Sequence, residues 1–371
     1  METRVLIVGG GLAGLVTARL LHRAGLAIEL REARPRLGGR ILTADASGAP
    51  SADGFDLGPS WFWPRMQPAM AALVAELQLD VFPQHSEGDV VFQRMSRESV
   101  QRYGGARQEP ESMRIAGGTG ALVTALARAL PAACVRLEAT LTHLTLQEDG
   151  VEARFTQARD GHEVVRASHV VLALPPRLLA ARVSFSPALD ASTAARWQRT
   201  PTWMAPHAKV FALYERAFWR EAGLSGTAQS MVGPLAEIHD ATTASGQPAL
   251  FGFVGMSAAQ RQAIGRHDIV AASVRQLVTL FGPDAAEPRA TLYQDWAADP
   301  LTSTEADWTD GAHPVAAGRD WVSGAWRGRV TLAGSETSPA EPGYLAGAVQ
   351  AAECAAREVL DLIRGDARMR P

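Results

Sequence analysis

The sequence predicts an α/β protein in which one domain is built on a parallel sheet and a smaller α+β domain carries a mixed sheet. Three observations support this fold class. An apolar strand pattern at residues 5–8, a glycine cluster and an amphipathic helical pattern at 12–23 follow one another at the start of the chain. Near the C-terminus, residues 330–343 again show a strand pattern followed by glycines. The chain has 371 residues, of which 47% are apolar, which is enough for about two domains with cores of their own.

The glycines of the first cluster have the register of a dinucleotide-binding turn. Gly9, Gly11 and Gly14 form G-x-G-x-x-G directly after the strand and at the start of the helix. In such a turn the first glycine permits the bend, the second lets backbone approach a pyrophosphate, and the third lets the helix pack closely. A second strand at 27–30 ends just before Glu32, a carboxylate placed to accept hydrogen bonds from a ribose. This order indicates dinucleotide binding, and a glycine turn without a ligand is the alternative.

The loop after the second strand favours a nearby phosphate. Residues 35–40 have the sequence PRLGGR, so paired glycines that include Gly39 are followed by Arg40. Flexible backbone with a cation beside it is typical of loops that pass close to a phosphate.

The remaining apolar patterns predict alternating helices and strands. Helices are expected at 68–79, 121–130, 269–280 and 345–363, and strands within 89–103 and at 135–146, 151–155, 169–174, 209–214, 250–254 and 330–333. An Ala-Gly-Gly-Thr-Gly segment at 116–120 precedes the second of these helices. Strands 135–146 and 151–155 are expected to form a hairpin, and strand 169–174 to return to the first sheet.

The nucleotide-binding domain is therefore expected to be discontinuous. It is predicted to comprise residues 1–65, 113–185 and 323–371, whereas 66–112 and 186–322 are predicted to form the substrate-binding domain. Near the C-terminus, Gly334 and Gly343 stand before the last helix, and glycine at a helix start suits an anionic or carbonyl group of a ligand.

Composition argues against several classes of protein. A net charge of −3 and scattered arginines argue against nucleic-acid binding. The longest uncharged run, residues 241–260, is interrupted by glycine and proline and is interpreted as a loop and a strand rather than a membrane span. The first strand leaves no room for a signal peptide, so a cytoplasmic protein is expected. Cys134 and Cys354 are too few for a disulfide framework or a metal site and are expected to be core residues.

One lysine stands out among the cationic residues. Of 36 lysine and arginine residues only Lys209 is a lysine, and the chain contains no asparagine. We interpret both facts as a GC-rich coding bias that replaces lysine by arginine wherever a positive charge suffices. A buried lysine can lose its proton whereas arginine keeps it, so Lys209 is a candidate for a role that arginine cannot fill. Chance survival at a tolerant site is the alternative.

Five segments together resemble the flavin-dependent amine oxidases, a family that includes monoamine, polyamine and L-amino-acid oxidases. The segments are VLIVGGGLAGLVTARLL, EARPRLGGR, DLGPSW, HAKVFALYERAFW and LAGSETSPAEPGYLAGAVQAAECAAREVL. They span nearly the whole chain in the family's order, so the resemblance is specific for the family and not for a substrate.

The resemblance implies a Rossmann-like FAD-binding domain and assigns residues to the cofactor. Glu32 is implied to bind the adenosine ribose, Val135 to meet the adenine through its backbone, and Arg40 to face the pyrophosphate. The N–H of Leu345 is implied to point at the pyrimidine carbonyl of the flavin. The implied cofactor-binding residues are Gly9, Gly11, Leu12, Ala13, Gly14, Glu32, Ala33, Arg34, Gly39, Arg40, Gly58, Pro59, Ser60, Trp61, Val135, Trp296, Gly334, Glu336, Gly343, Tyr344, Leu345 and Ala348.

Two residues are implied to act in catalysis. Lys209 aligns with the family's lysine that holds a water against the flavin N5 atom, and Tyr344 matches one of two aromatic side chains that sandwich the substrate amine. A packing role for Tyr344 is the alternative. Ala312 stands where covalent members carry the flavin-bonded cysteine, so non-covalent FAD is expected. The second ring of the sandwich falls near His313, which departs from the family's pattern.

The implied function is the oxidation of a small-molecule amine by hydride transfer to flavin N5, with dioxygen reduced to hydrogen peroxide and no metal involved. A buried lysine with a lowered pKa suits such a site at near-neutral pH. Two alternatives remain open at this point. One is an FAD-dependent desaturase or dehydrogenase that acts on C–C bonds or uses another electron acceptor, and the other is a flavoprotein with structural FAD. The sequence leaves the identity of the amine and the oligomeric state open.

Overall fold

The structure is a computed structural model that describes residues 4–105, 109–157, 161–309, 311–316, 318 and 320–369. The chain divides into two compact units. The first consists of Met1–Arg40, Leu122–Met204 and Pro300–Pro371, and the second of Ile41–Ala121 and Ala205–Asp299. Relative to the predicted domain boundaries, residues 41–65 and 113–121 lie in the second unit, and 186–204 and 300–322 lie in the first. The functional assignment of the two domains stays a prediction.

The described strands and helices are numbered here in chain order. The strands are β1 (Arg4–Val8), β2 (Ala27–Arg31), β3 (Thr43–Ala44), β4 (Phe55–Asp56), β5 (Val81–Pro83), β6 (Asp89–Gln93), β7 (Gln101–Tyr103), β8 (Met113–Ile115), β9 (Val135–Arg136), β10 (Ala139–Leu146), β11 (Val151–Gln157), β12 (His162–Ala167), β13 (His169–Leu172), β14 (Ser184–Ser186), β15 (Ala208–Leu213), β16 (Leu224–Ser230), β17 (Leu235–Asp240), β18 (Ala249–Val254), β19 (Ala290–Asp295) and β20 (Val330–Leu332). The α-helices are α1 (Leu12–Arg23), α2 (Pro68–Glu76), α3 (Gly120–Arg128), α4 (Pro176–Arg182), α5 (Ala191–Arg199), α6 (Phe218–Glu221), α7 (Ala258–Ile264), α8 (Arg266–Phe281) and α9 (Leu345–Met369).

The first unit contains a five-stranded parallel sheet with the strand order β20-β13-β1-β2-β9. Its central strand β1 is buried along Val5–Val8, as expected of a parallel strand covered on both faces. Helices α1 and α9 pack against each other and against strands of this sheet. Leu6 and Val8 also join a core with the antiparallel pair β10 and β11 of a second, four-stranded sheet. This arrangement confirms the predicted Rossmann-like α/β fold.

Most predicted elements of this unit are present with shifted ends. Helix α1 begins and ends where it was predicted, and α9 continues past residue 363 to Met369, so Gly365 lies within the helix and does not end it. Helix α4 was not predicted, because Pro175 and Pro176 were interpreted only as the end of a strand. Pro176 is the first residue of α4, a position that tolerates proline because its N–H has no partner in a helix.

The second unit is organised around a seven-stranded sheet with the strand order β19-β15-β18-β17-β16-β6-β7. Neighbouring strands are antiparallel except β16 and β6, which run parallel, so the sheet is mixed as predicted. One face packs Val210 with Leu277 of α8. The other face packs Phe211 and Phe251 with Phe55 of β4, and this second face carries the candidate site.

Three further expectations concern cysteines, membranes and metals. Cys134 and Cys354 are free and half-buried, which corrects the expectation that both lie in the core. Within the described ranges, no helix combines the length and the apolar character that a membrane span requires. The same residues contain no cluster of three or more His, Cys, Asp or Glu side chains that could hold a metal ion.

Candidate active site

The N-terminal glycine turn depends on two close backbone approaches. Gly9 has a φ of +106°, and a Cβ built there would lie 2.6 Å from the carbonyl oxygen of Ala173. A Cβ on Gly14 would lie 1.8 Å from the carbonyl oxygen of Gly9. The predicted close packing at Gly14 is therefore first against the turn itself, and only then against Ala173, whose Cβ would be 3.3 Å away.

Gly11 differs from its neighbours, because nothing among the described residues requires a glycine there. Its φ is −74°, and the atom nearest to a built Cβ is the carbonyl oxygen of Gly38 at 3.9 Å. Gly11 is the N-cap of α1, which has neither a side-chain cap nor an acidic residue in its first turn. The first N–H groups of a helix, here those of Leu12, Ala13 and Gly14, have no acceptor within it. The open space and these donors form a cradle that suits a phosphate.

Glu32 is held just after β2 by two backbone donors. The N–H of Gly10 donates to Oε2 at 2.6 Å, and the N–H of Arg34 donates to Oε1 at 2.8 Å. Each carboxylate oxygen keeps a further lone pair, so both can still accept a hydroxyl group. Sequence reasoning missed Gly10, although it completes a run of three glycines. A Cβ on Gly10 would lie 2.6 Å from the Leu37 side chain and crowd the Glu32 carboxylate at 3.2 Å.

Arg40 and Glu336, which were predicted separately as cofactor residues, form an ion pair. Arg40 Nη1 lies 2.7 Å from Glu336 Oε1, and the guanidinium also donates to the Trp203 carbonyl and to Ser335 Oγ, both at 2.8 Å. The Glu336 side chain is fully buried, whereas that of Arg40 is 25% exposed. The short contact at Oε1 lacks hydrogen-bond geometry, so this oxygen keeps an unfilled acceptor position. The pair can thus present both a cation and an acceptor to a ligand.

The other predicted nucleotide residues lie around the same turn. Gly39 has a φ of +57°, and its built Cβ would lie 3.3 Å from the Cα of Gly11. Arg34 is buried and donates to Thr302 Oγ1 at 2.9 Å. Val135 on β9 pairs with Leu30 of β2. Ala33 follows two residues after the end of β2. Their contacts with a nucleotide stay predictions.

The C-terminal glycines have structural reasons of their own. A Cβ on Gly334 would lie 2.4 Å from the Leu174 carbonyl oxygen. Gly343 has a φ of +86°, and its built Cβ would lie 2.5 Å from that of Trp203. Leu345 opens α9 as predicted, and Ala348 lies in the first turn, where its N–H donates to the Tyr344 carbonyl at 3.0 Å. The N–H of Leu345 is thus at a helix start, the position that the proposed flavin contact requires.

Tyr344 belongs to a compact cluster of three rings. The centroid of the His313 ring lies 4.4 Å from that of Trp203 and 5.1 Å from that of Tyr344. Rings at these separations touch, so no substrate fits between His313 and Tyr344 in this arrangement. Tyr344 is 37% exposed and can still border a ligand. Ala312, the position at which the resemblance implies a cysteine in covalent members, is exposed.

Lys209 is buried on β15, and its amino group faces the loop at residues 56–60. Nζ donates to the carbonyl oxygen of Gly58 at 2.5 Å, to Ser60 Oγ at 3.0 Å and to the carbonyl oxygen of Asp56 at 3.3 Å. An ammonium group has three N–H donors, so the charged form uses all of them within this unit.

The surroundings of Lys209 favour its neutral form. Burial lowers the pKa of Lys209 to about 7, with Asp56 opposing the shift and Arg114 adding to it. A neutral amine has two donors and one lone pair, so it releases one of the three oxygen contacts. The contact to the Asp56 carbonyl is the longest of the three and is the first that a water could replace.

The loop that receives Lys209 is held by two indole groups. Trp61 Nε1 donates to Gln84 Oε1 at 2.8 Å, and Trp296 Nε1 donates to the Leu57 carbonyl at 3.1 Å. Gly58, Pro59 and Ser60 lie between Leu57 and Trp61, the two loop residues that these bonds hold. The structure therefore brings together five residues that the resemblance assigned to the cofactor, namely Gly58, Pro59, Ser60, Trp61 and Trp296.

The sheet face that carries Lys209 also carries side chains that sequence reasoning missed. In the strand register, Lys209 pairs with Phe253, and Phe253 pairs with Glu237. Side chains at paired positions point to the same face of a sheet. Lys209 Nζ lies 5.2 Å from the centroid of the Phe253 ring and 4.7 Å from that of Phe251.

A second row on this face contains Phe251 and His239, which are also paired. The ring of Trp61 lies 4.9 Å from that of His239 and 5.5 Å from that of Phe251. His239 Nε2 lies 2.6 Å from Glu237 Oε1, and this bond lowers the pKa of Glu237. The Glu237 side chain is 49% exposed. Rings and one accessible carboxylate thus form a wall beside Lys209, which we call the aromatic wall (Trp61, Phe251, Phe253, Glu237 and His239).

Comparison with known proteins places these features in a family. Residues 7–77 match the NAD(P)-binding Rossmann-like domain, and residues 100–360 match the family described as flavin containing amine oxidoreductase. An L-amino acid dehydrogenase of Synechocystis sp. is 26% identical over 269 residues, which are 69% of this chain and 53% of that protein, so the chain spans about half of that relative.

Two further proteins match along nearly their whole length. The Mycobacterium tuberculosis protein named "Putative flavin-containing monoamine oxidase AofH" is 26% identical over 467 residues, with 97% of each chain covered. A solved structure of a putrescine oxidase triple mutant has a TM-score of 0.79 at 23% identity and covers 97% of this chain and 99% of that one, which supports the fold. Since the family match covers well over half of the chain, the protein belongs to the flavin-containing amine oxidoreductases.

Proposed function

We propose that the chain oxidises a small-molecule amine with FAD as its cofactor and dioxygen as its electron acceptor. Bound FAD would supply the oxidising chemistry: it would take a hydride at N5 from the carbon next to the amine nitrogen, so that the amine becomes an imine that water hydrolyses, and the reduced flavin would pass its two electrons to dioxygen to give hydrogen peroxide. The chain's own residues bind the cofactor, exclude water and position the amine. Membership of the family supports this reaction class.

Features of the first unit support FAD as the bound group. The open space at Gly11 and the uncapped start of α1 suit the pyrophosphate. Glu32 offers two carboxylate oxygens to a ribose, and Glu336 Oε1 offers an unfilled acceptor position beside Arg40. Ala312 cannot form a thioether, so we infer non-covalent FAD. Acid precipitation of the loaded protein should therefore leave all of the flavin in solution.

The environment of Lys209 carries the proposal of amine oxidation. It is the chain's only lysine, it is buried, and its pKa of about 7 lets it change protonation state at neutral pH. We propose that the neutral amine gives up the contact to the Asp56 carbonyl and holds the water that the family resemblance implies. An arginine would remain charged and could not make this exchange.

The aromatic wall supports a cationic substrate. Ring faces attract ammonium groups, and the Glu237 carboxylate supplies an opposing charge. Strands β15, β17, β18 and β19 contain no arginine, and Arg114, a guanidinium close to Lys209, already donates to the carbonyl oxygens of Thr242 and Ala241 rather than to a substrate carboxylate. We therefore propose an amine without a carboxylate group as the substrate class.

The test is an anaerobic screen of amines against the FAD-loaded protein. A substrate should bleach the visible flavin absorption, and admission of air should restore it with one equivalent of hydrogen peroxide. Lys209→Met should keep FAD bound while slowing restoration of the colour by about 100-fold. Reoxidation at the unchanged rate would remove Lys209 from the reaction, and failure of every amine to bleach the flavin would favour a structural role for FAD.

One finding favours a second candidate, in which the acceptor is not dioxygen. The Synechocystis relative is named a dehydrogenase. A dehydrogenase would also be bleached by its amine, but its reduced flavin would persist in air and regain colour with an artificial acceptor such as a quinone. The rate of reoxidation in air thus separates the two candidates.

A further inference from the structure

Within the second unit, the Ala-Gly-Gly-Thr-Gly segment at residues 116–120 is hydrogen-bonded to the side chain of Asp56. Asp56 Oδ1 accepts hydrogen bonds from Thr119 N–H at 2.8 Å, Thr119 Oγ1 at 2.9 Å and Thr43 Oγ1 at 2.6 Å. Gly118 has a φ of +84°, and a Cβ there would lie 2.8 Å from Asp56 Oδ1. The glycine turn therefore closes over this one carboxylate oxygen, and Asp56 ties the turn to strands β3 and β4.

The backbone of the same residue belongs to the group of oxygens that receives Lys209. Two of the three acceptors of Lys209 Nζ are the carbonyl oxygens of Asp56 and Gly58, and the third is Ser60 Oγ. Ser60 Oγ lies 3.5 Å from the Asp56 carbonyl oxygen. A side chain clamped at three points thus fixes the start of the loop that holds the amine.

The second oxygen of Asp56 has no hydrogen-bond partner among the described residues. Burying a carboxylate oxygen without a hydrogen bond costs free energy unless a nearby positive charge stabilises it. The cations near it are Lys209 and Arg114, and Arg114 already donates to the carbonyl oxygens of Thr242 and Ala241 at 2.8 and 3.3 Å. On β17, two strands away from Lys209 in the same sheet, Glu237 is engaged by His239. Burial raises the pKa of Asp56, and the hydrogen bond from Thr43 and the charge of Arg114 oppose that shift. In its ionised form the Asp56 carboxylate is a buried negative charge that favours the ammonium form of Lys209.

We propose that Asp56 is the positioning residue for Lys209, because its carboxylate fixes the oxygens that receive the amino group and supplies the charge that retains its proton. The value of this role to the reaction rests on the proposed function. The role itself can be tested without turnover, since both effects act on Lys209 directly.

The single lysine makes the measurement direct. Growth with ¹³C,¹⁵N-lysine labels one side chain in the whole chain, so the NMR signal of its ε-carbon reports the titration of Lys209 alone. In the FAD-loaded wild-type protein the midpoint should lie near 7. Asp56→Asn, which keeps the shape and removes the charge, should lower the midpoint by about one pH unit or more. Asp53→Asn, in the same segment, is the matched control and should leave the midpoint unchanged.

A second pair of variants guards against failure of Asp56→Asn to fold. Arg114→Gln removes the neighbouring cation and should raise the Lys209 midpoint, because Arg114 acts against the charge on Lys209. Adding Asp56→Asn to that variant removes both charges together, which is better tolerated than removing one, and should lower the midpoint again. If Asp56→Asn leaves the Lys209 midpoint unchanged, either in the wild-type background or in the Arg114→Gln background, the proposal is overturned.

Failure of the proposed function would look different. If Asp56→Asn lowers the Lys209 midpoint while Lys209→Met reoxidises normally, Asp56 positions a lysine that the reaction does not need. If Lys209→Met slows reoxidation but Asp56→Asn leaves the midpoint in place, the function stands and the role of Asp56 falls.

Discussion

At the residue scale, Gly11 and Gly14 share a motif but not a reason to be glycine. Gly14 is required by the protein itself, because its Cβ would penetrate the carbonyl of Gly9. Gly11 meets no atom closer than 3.9 Å and has an ordinary φ. A glycine without an internal reason points to a group that the protein receives from outside.

Gly11→Ala should therefore weaken mainly the binding of FAD, whereas Gly14→Ala should weaken mainly the stability of the fold. Gly11→Ala should change the free energy of unfolding of the apoprotein by less than about 1 kcal/mol, yet raise the Kd for FAD by about tenfold or more. Gly14→Ala should destabilise the apoprotein itself by about 3 kcal/mol, as overpacking against backbone does. Thermal melting without FAD and fluorescence titration with FAD separate these results. Tight FAD binding by Gly11→Ala would contradict the assignment of the cradle.

Lys209 and Asp56 differ in how far the sequence alone indicates their importance. The rarity of lysine in this chain predicts a role for Lys209 beyond charge, and the structure finds it buried beside a loop that the resemblance assigns to the flavin. Asp56 could not be predicted in the same way. Its partners Thr43 and Thr119 lie 13 and 63 residues away in the chain, and no local pattern links them.

At the scale of elements, the aromatic wall depends on how strands β15, β17 and β18 are aligned. Each strand was partly or wholly recognisable from its apolar residues, except β17, which was not predicted. The side chains that share a face follow from the register, and a shift of one residue would have placed Glu237 on the opposite face. Register depends on turn geometry and on the opposing core, so the wall could not be derived from the sequence of any one strand.

Glu237 should contribute to substrate binding rather than to the chemical step. Glu237→Gln should raise KM for a cationic amine by about fivefold, the scale of a half-exposed ion contact, with kcat nearly unchanged. Glu221→Gln, an exposed glutamate on α6 of the same unit, is the matched control. Equal KM values for the wild type and Glu237→Gln at low salt would show that substrate does not reach the wall.

At the scale of the whole molecule, the fold was more predictable than its division. The Rossmann-like start and the mixed sheet follow from local patterns, namely a strand, glycines and a helix, or apolar alternation. The boundaries of the two units do not, because one of them falls inside α3, between Ala121 and Leu122. A helix that continues across a boundary carries no change of composition to mark it.

The free energy of unfolding should decrease when the pH is lowered, because of His169 in the parallel sheet. Burial lowers the pKa of His169 from 6.5 to about 4, with its ring between the Gly328 carbonyl and Thr331 Oγ1. Between these two pH values the unfolded chain binds the proton and the folded chain does not. The free energy of unfolding therefore decreases as pH falls through this window, by about 3 kcal/mol in full.

Denaturant titrations at pH 7.5 and 5.0 measure this dependence. His169→Gln should remove much of the difference between the two pH values, and His267→Gln, at an exposed position, should leave it intact. Identical pH dependence in the wild type and His169→Gln would show that other groups account for the loss.

The lysine composition also bears on the fate of the product of the proposed reaction. An oxidised amine is released as an aldehyde or ketone, and aldehydes condense with primary amines on proteins to form Schiff bases. Here the single ε-amino group is enclosed and every other basic side chain of the lysine–arginine class is a guanidinium. If the chain carries out the proposed oxidation, it should withstand the carbonyl product through many turnovers, whereas a lysine-rich protein would accumulate adducts.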